Sequence, residues 1–314
     1  MRLNIFSPVP PTPSAIALQL ATVLPALARR AEITLWVHET NWAQSLEEHA
    51  TVRRYDPRNL PWDELNAPAH TIYHLGNEPA FHGPIWRVSR QHRGVVILHD
   101  LNLQRLFAGM VVDSGLLTRA DYLELMDFYH PERGRELGKG FLGGTRTIEE
   151  VEMVCPLTGA AIEGAAGVAV HTRNALEQLR NFVDVPTAYV PLCGTEPSRS
   201  PSPVSTSREI RRLSIFGFLG ANRRLPSVVT ALHQLPERER YRLDIYGRVA
   251  HEAEFRELLK TLGLTRSVTL HGFVTDEELE AALATTDLAI NLRDPTMGEA
   301  SASQLQIWQH GLPS

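Results

Sequence analysis

Cysteine is nearly absent. Two occur in 314 residues, Cys155 and Cys193, in neither a CxxC nor a Cys/His metal spacing. That excludes a disulfide framework and a zinc ribbon, and fits a reduced, cytosolic protein. Positive charge is not in excess. Lys and Arg number 31 against 36 Asp and Glu, a net charge of −5, so a general nucleic-acid footprint is not indicated. The basic pairs Arg29-Arg30, Arg53-Arg54, Arg211-Arg212 and Arg223-Arg224 read first as solvated surface. No window approaches the roughly 18 unbroken apolar residues of a membrane span. The opening MRLNIFSPVPP has no signal-peptide core. Contact with a membrane surface stays open. Several catalytic signatures are missing as well: GxSxG, HExxH, Walker A, a short Asp-x-Asp pair at a strand end, and GxGxxG in the first loop. Any diphosphate chemistry must then draw positive charge from arginines and helix ends rather than from a bound metal.

What is present is an ordinary globular composition, 43% hydrophobic and 21% charged, over a length that suggests two domains. Short apolar runs alternate with amphipathic ones. LNIF (3–6), ITLWV (33–37), TIYHL (71–75), VVILH (95–99), VAVH (168–171) and TAYV (187–190) read as strands. The intervening βα rhythm predicts a parallel sheet covered on both faces. Residues 100–165 interrupt it with several helical stretches. They form either a wall of a substrate cleft or a cap over the sheet.

The stretch EPSRSPSPVSTSRE (196–209) is rich in Ser and Pro and reads as a linker, taken here as 196–210. Beyond it RLSIFGF, YRLDIYG, SVTLHGF and DLAINL repeat the strand pattern, each of the first three followed by a helical stretch. The expected fold is α/β with two Rossmann-like parallel-sheet domains facing a cleft, residues 1–195 and 211–314. Ligands in such sheets bind outside the carboxyl ends of the strands.

Five strand-end segments carry candidate chemistry. In SPVPPTPSAIA (7–17) Ser14 precedes a helix, where it caps the helix or holds a polar ligand group. In YHLGNEP (73–79) Asn77 and Glu78 either bind substrate hydroxyls or cap the next helix. VVILHD ends in His99 and Asp100. His99 is either a donor to a sugar hydroxyl or a structural histidine bonded to a loop. In IFGFLGANRRLPSVV (215–229) a glycine loop holding Gly217 leads to Arg223 and Arg224 before a helix, a combination suited to phosphate. In DPTMGEASASQ, Gly298 and Glu299 precede Ala300, Ser301 and Ser303 at a helix start. Glu299 is suited to binding sugar hydroxyls there or to sitting in a favourable helix dipole.

Taken together, these residues resemble the GT-B glycosyltransferases, specifically retaining family 4. YHLGNEPAFHGPIW…GVVILHD, VAVHTRNALEQL, FGFLGANRRL, YRLDIYG, VTLHGFVTDEELEAALATTDLAINLRDPTMGE and GLP follow that family's blocks in order and spacing. The resemblance implies a nucleotide-diphosphate sugar donor held by the second domain and a glycan or lipid-linked acceptor on the first. Transfer proceeds with retention, without an essential metal and without a cofactor, in polysaccharide biosynthesis. The implied location is cytoplasmic, with room for peripheral contact at the inner face of the membrane. By the same resemblance Arg223 stands at the donor-diphosphate lysine, with Arg224 assisting. Phe218 stands where many members carry a second diphosphate-binding arginine. His99 stands at the histidine near the donor sugar. Gly272, Phe273 and Val274 form the base-contacting loop.

Glu299 corresponds to the first acidic residue of a Glu-x7-Glu pattern, shifted by one position, and Gln306 to the second. Ala15 replaces a usual glycine of the first loop. The family's later strands and final crossing helix are missing after GLP, so the resemblance implies a C-terminally truncated second domain of reduced activity. Two other classes stay in view: a non-catalytic nucleotide- or glycan-binding relative or partner subunit, and a different two-domain enzyme such as an epimerase or oxidoreductase. The missing GxGxxG opposes the last.

Overall fold

The computed structural model describes residues 1–194 and 209–314 apart from Pro68, Phe182 and Phe218. The linker expected over 196–210 therefore falls, as far as residue 208, outside the described residues, as does Phe218. Contacts divide the chain into two compact units. One comprises Met1–Cys193 with Met297–Ala300, the other Gly194–Thr296 with Ser301–Ser314.

The first unit is built on seven strands: β1 (Arg2–Phe6), β2 (Glu32–Val37), β3 (Thr51–Arg54), β4 (His70–Leu75), β5 (Val95–Leu98), β6 (Gly167–Val170) and β7 (Thr187–Tyr189). They lie in the order β3-β2-β1-β4-β5-β6-β7, and every pairing is parallel. The apolar runs explain this. β1 is buried at four of its five residues and β6 at all four, as strands covered on both faces require. Helices α1 (Ala15–Ala28), α2 (Trp62–Leu65), α3 (Pro79–Ser89) and α9 (Arg173–Arg180) accompany the strands. Helices α4 (Gln104–Val112), α5 (Arg119–Tyr129), α6 (Gly134–Leu142), α7 (Ile148–Glu152) and α8 (Thr158–Ile162) fill the interval between β5 and β6.

Two sequence signals set those inserted helices. Thr118 with Asp121, and Thr147 with Glu150, close reciprocal capping boxes at the starts of α5 and α7. Helix α4 is tied to α7 by Arg105, which reaches the buried Glu152 at 2.6 and 2.8 Å and Glu149 at 3.0 Å. At the centre of the sheet Phe6 contacts the rings of Trp36, Tyr55 and Tyr73. The Trp36 indole N–H donates to the Asn4 side-chain oxygen at 3.0 Å, which satisfies a buried polar group.

The second unit carries β8 (Arg211–Phe216), β9 (Tyr241–Tyr246), β10 (Val268–Gly272) and β11 (Leu288–Ala289) in the parallel order β10-β9-β8-β11. Helices α10 (Leu225–Gln234), α11 (Glu252–Thr261), α12 (Asp276–Thr285) and α13 (Ala302–Gln309) connect or follow them. Its core gathers Ile215, Val229, Leu243, Ile245, Phe255 and Leu259.

Both sheets contain a topological switch. In the first the chain steps from β1 outward to β3, then returns to the opposite side at β4. In the second it steps from β8 to β10 and returns at β11. The loops leaving neighbouring strands at such a point diverge to opposite faces and open a crevice at the carboxyl edge.

Candidate functional site

In the first unit the switch lies between the loops after β1 and β4. Ser14 caps α1, its hydroxyl accepting the Ile16 N–H at 3.2 Å. Gly76 lets the β4 loop close on this helix, because a Cβ there would stand 2.8 Å from the Ile16 Cδ1. Asn77 is held at both ends of its amide. Its Nδ2 donates to the Asn102 carbonyl at 2.6 Å, and its Oδ1 accepts from the Leu106 N–H at 3.4 Å. Its backbone N–H donates to the Asp100 carboxylate at 3.1 Å. Glu78 is the N-cap of α3 and makes no side-chain capping bond. The loops after β4 and β5 are thus laced together, with Asn77 and Asp100 as the clasp.

His99 lies next to this clasp. Its backbone N–H donates to the Leu75 carbonyl, and its Nε2 is 2.9 Å from Nδ1 of His74. His171, at the end of the next strand, stands with its ring 4.6 Å from that of His99. The His171 Nδ1 lies 2.7 Å from the Val190 carbonyl, which can only accept, so Nδ1 carries the proton. Its Nε2 is then an acceptor, buried and without a partner. His82 likewise donates from Nδ1 to the His74 carbonyl.

Three neighbouring parallel strands therefore deliver a row of imidazoles to one edge. Burial lowers the pKa of His74 to about 3 and that of His82 to about 4, and holds His99 well below its usual value. Neighbouring histidines further disfavour charge on His74 and His99. At neutral pH His99 is a neutral imidazole, able to donate or accept a hydrogen bond but carrying no charge. The row was hidden in the sequence, where only His99 had been placed at a strand end as a candidate.

The segment Met297–Ala300 groups with this unit. The N–H groups of Leu101 and Asn102 donate to the Met297 carbonyl at 2.8 and 3.0 Å. Gly298 has φ of +76°, and a Cβ on it would meet Leu101 at 2.4 Å. Glu299 accepts the Met297 N–H at 2.7 Å and is half-buried, as is Ala300.

In the second unit the switch lies between the loops after β8 and β11. The strand ends approach each other through glycines. Gly217 (φ +106°) donates to the Tyr246 carbonyl, and Gly247 (φ +130°) to the Gly272 carbonyl. A Cβ on Gly247 would fall 1.9 Å from the Gly217 oxygen, and one on Gly217 would fall 2.9 Å from Oγ of Ser303 at the start of α13. Rings cross the same edge in a row. Phe216 stacks on Tyr246 at 5.3 Å, and Tyr246 on His271 at 4.3 Å.

Arg223 is buried, and its Nη2 donates to the Phe216 carbonyl at 2.8 Å. Arg224 is half-exposed and 3.6 Å from Asp294. Ser301 caps α13 by accepting from Gln304, and it also accepts from Arg293 Nη2 at 2.9 Å and Asn291 Nδ2 at 3.2 Å. The loop thus gathers Gly217, Arg223, Arg224 and Ser301. Phe273 is 88% exposed, Val274 half-buried and Gln306 exposed. Arg293 and Asn291 were not singled out in the sequence. Their signal was the same strand-end position as Glu299. No group of three or more His, Cys, Asp or Glu residues able to hold a metal occurs among the described residues.

This edge geometry, repeated on two parallel sheets, defines the GT-B fold. Comparison with solved structures gives the same class. Anabaena Alr3699/HepE, solved in complex with UDP and glucose, is 14% identical with a TM-score of 0.59, matching 100% of this chain and 79% of its own. Sucrose-phosphate synthase from Thermosynechococcus elongatus is 17% identical with a TM-score of 0.59, matching 100% of this chain and 80% of its own. WaaG, a glycosyltransferase involved in lipopolysaccharide biosynthesis, is 13% identical with a TM-score of 0.55, again over 100% and 80%. No family model matches the sequence, and no curated protein does. No described helix is long and apolar enough to cross a membrane.

Proposed function

We propose that the chain is a glycosyltransferase that takes a sugar from a nucleotide-diphosphate donor and passes it to a glycan or lipid-linked acceptor. The observation that carries this reading is the β8/β11 edge. Glycine-lined strand ends, a Ser301-capped helix and the Arg223–Arg224 turn converge where an anionic group meets N–H donors and guanidinium charge. The UDP and glucose bound by a protein of the same fold support a nucleotide sugar as the ligand.

In the proposed reaction the bond between the sugar and the diphosphate breaks while the acceptor hydroxyl oxygen bonds to the sugar and passes its proton to the departing diphosphate. Negative charge grows on the departing diphosphate. A preorganised guanidinium and the first turn of α13 stabilise that growth more than they stabilise the ground state. Arg223 fills this role with Arg224 assisting. Release of Arg223 from the Phe216 carbonyl accompanies donor binding. His99, being neutral, orients a hydroxyl of the transferred sugar by a hydrogen bond. Glu299 and Gln306 take donor hydroxyls. Retention of configuration, independence from metal and a place in family 4 belong to the proposal and rest on the motif order.

A second reading, a non-catalytic nucleotide- or glycan-binding relative or partner subunit, draws on the buried placement of Arg223 and on the amide of Gln306 at the second acidic position. Incubation with a panel of radiolabelled nucleotide sugars and simple glycoside acceptors separates the two. Transfer that falls at least about a hundredfold in Arg223→Ala supports the enzyme, since transition-state charge stabilisation is worth that much. Saturable binding with no turnover supports the second reading. Unchanged turnover in Arg223→Ala removes that residue's role.

A further inference from the structure

The β2/β3 side of the first sheet holds a cavity of about 650 Å³ that the reading above does not use. Its lining includes His38, Arg54, Tyr55, Arg58, Ala80 and Ser114. All strands of this sheet are parallel, so the ends of β2 and β3 open on the same edge as His99 and Asn77. The cavity therefore faces the same side as the acceptor candidates.

Its charges are not balanced from within. Arg53 and Arg54 point to opposite faces of β3, as successive strand residues do. Arg53 pairs with Glu64 at 3.7 Å. The guanidinium groups of Arg54 and Arg58 have no ionic or hydrogen-bonding partner among the described residues. The lining also holds one carboxylate, Asp56, so two guanidinium groups face a single negative charge. Asp56 accepts the Arg58 backbone N–H at 2.9 Å, and Glu39 accepts from His38 N–H at 3.0 Å and from the Thr12 hydroxyl at 3.5 Å. Pro79 and Ala80, the first turn of the eleven-residue helix α3, complete the wall, and no side chain caps that helix. Behind the lining, the Tyr55 hydroxyl is buried and unpartnered. Two uncommitted guanidinium groups, in a cavity wide enough for a sugar ring, suit an oxyanion carried on a glycan.

We infer that this cavity is an acceptor subsite for an acidic sugar, with Arg54 and Arg58 gripping its carboxylate or phosphate. The inference rests on the glycosyltransferase reading.

The test is titration of the 314-residue chain with methyl glucuronide, glucose 6-phosphate and neutral methyl glucoside, followed by NMR or calorimetry. UDP and other nucleoside diphosphates are titrated separately into the same preparation. The variants are Arg54→Ala/Arg58→Ala and, as control, Arg53→Ala. All three positions are exposed, and circular dichroism checks the fold. One or both acidic probes are expected to bind, and the pair that binds distinguishes carboxylate from phosphate. The double variant is expected to weaken that binding by about tenfold or more, as loss of charge-assisted contacts does, with Arg53→Ala unchanged. Equal binding of the neutral glycoside, no binding of either acid, or full binding by the double variant overturns the inference. If nucleotide binds and acids do not, only this inference falls. If acids bind but no nucleotide does, the acceptor role falls with the donor reading.

Discussion

Lowering the pH from 7 to 5 acts on the histidine row through linkage, and the size of the effect can be worked out. Burial holds His82 at about 4 and His74 at about 3, whereas each returns toward 6.5 when the chain unfolds. Between those values the unfolded chain binds more protons than the folded one. Stability therefore falls as pH falls, beginning near 6.5 and continuing toward the folded values. The slope is about 1.4 kcal/mol per pH unit for each histidine, or about 2 kcal/mol for the fully buried His82 by pH 5. His74 retains some solvent contact and is discounted to about 1 kcal/mol. The expected loss is about 3 kcal/mol, a large part of the ~5–15 kcal/mol that a domain has.

Urea unfolding read by tryptophan fluorescence measures it. Trp36, Trp42, Trp62 and Trp86 belong to the first unit, and a Trp308→Phe background silences the second. His82→Gln removes one titrating group and should reduce the pH dependence by about 2 kcal/mol. Equal unfolding midpoints at pH 7 and 5, or a His82→Gln chain as pH-sensitive as its parent, would refute the argument.

Three further outcomes are expected. Gly247→Ala places a Cβ 1.9 Å from the Gly217 oxygen at φ +130°, so thermal unfolding of the second unit should drop by at least about 3 kcal/mol while the first unit's transition stays in place. Arg105→Ala strips the buried Glu152 of both its side-chain hydrogen bonds from Arg105. It should cost about 2–3 kcal/mol in urea unfolding, less than a fully buried pair because Arg105 is partly exposed. Thr118→Ala opens the capping box of α5 and should cost about 1 kcal/mol in the same assay.

Most strands were legible because burial in the sheet writes them as mostly apolar runs, such as LNIF, VVIL and GVAV, with the buried Asn4 of LNIF as the polar exception. β3 was not. Its sequence, TVRR, has one apolar residue, because it is an edge strand and mostly exposed. The pattern showed helices across 100–165, but only pairs such as Thr118–Asp121 and Thr147–Glu150 mark where they start. The strand-end positions of Ser14, Asn77, His99, Gly217 and Ser301 followed from the βα rhythm. The histidine row did not, since His74, His99 and His171 are far apart in sequence and meet only through the β4-β5-β6 pairing. The inward turn of Arg223 was equally invisible. GANRRL shows two adjacent arginines, and only the 3-10 turn at Ala221–Arg223 decides which one is buried.

The central claim is that the β8/β11 edge binds the diphosphate of a nucleotide sugar. Calorimetric titration of the chain with UDP, GDP and ADP tests it most directly. The account predicts saturable one-site binding of one of them, displaced by the matching nucleotide sugar and weakened about tenfold or more by Arg223→Ala. No binding of any nucleoside diphosphate at millimolar concentration would contradict it.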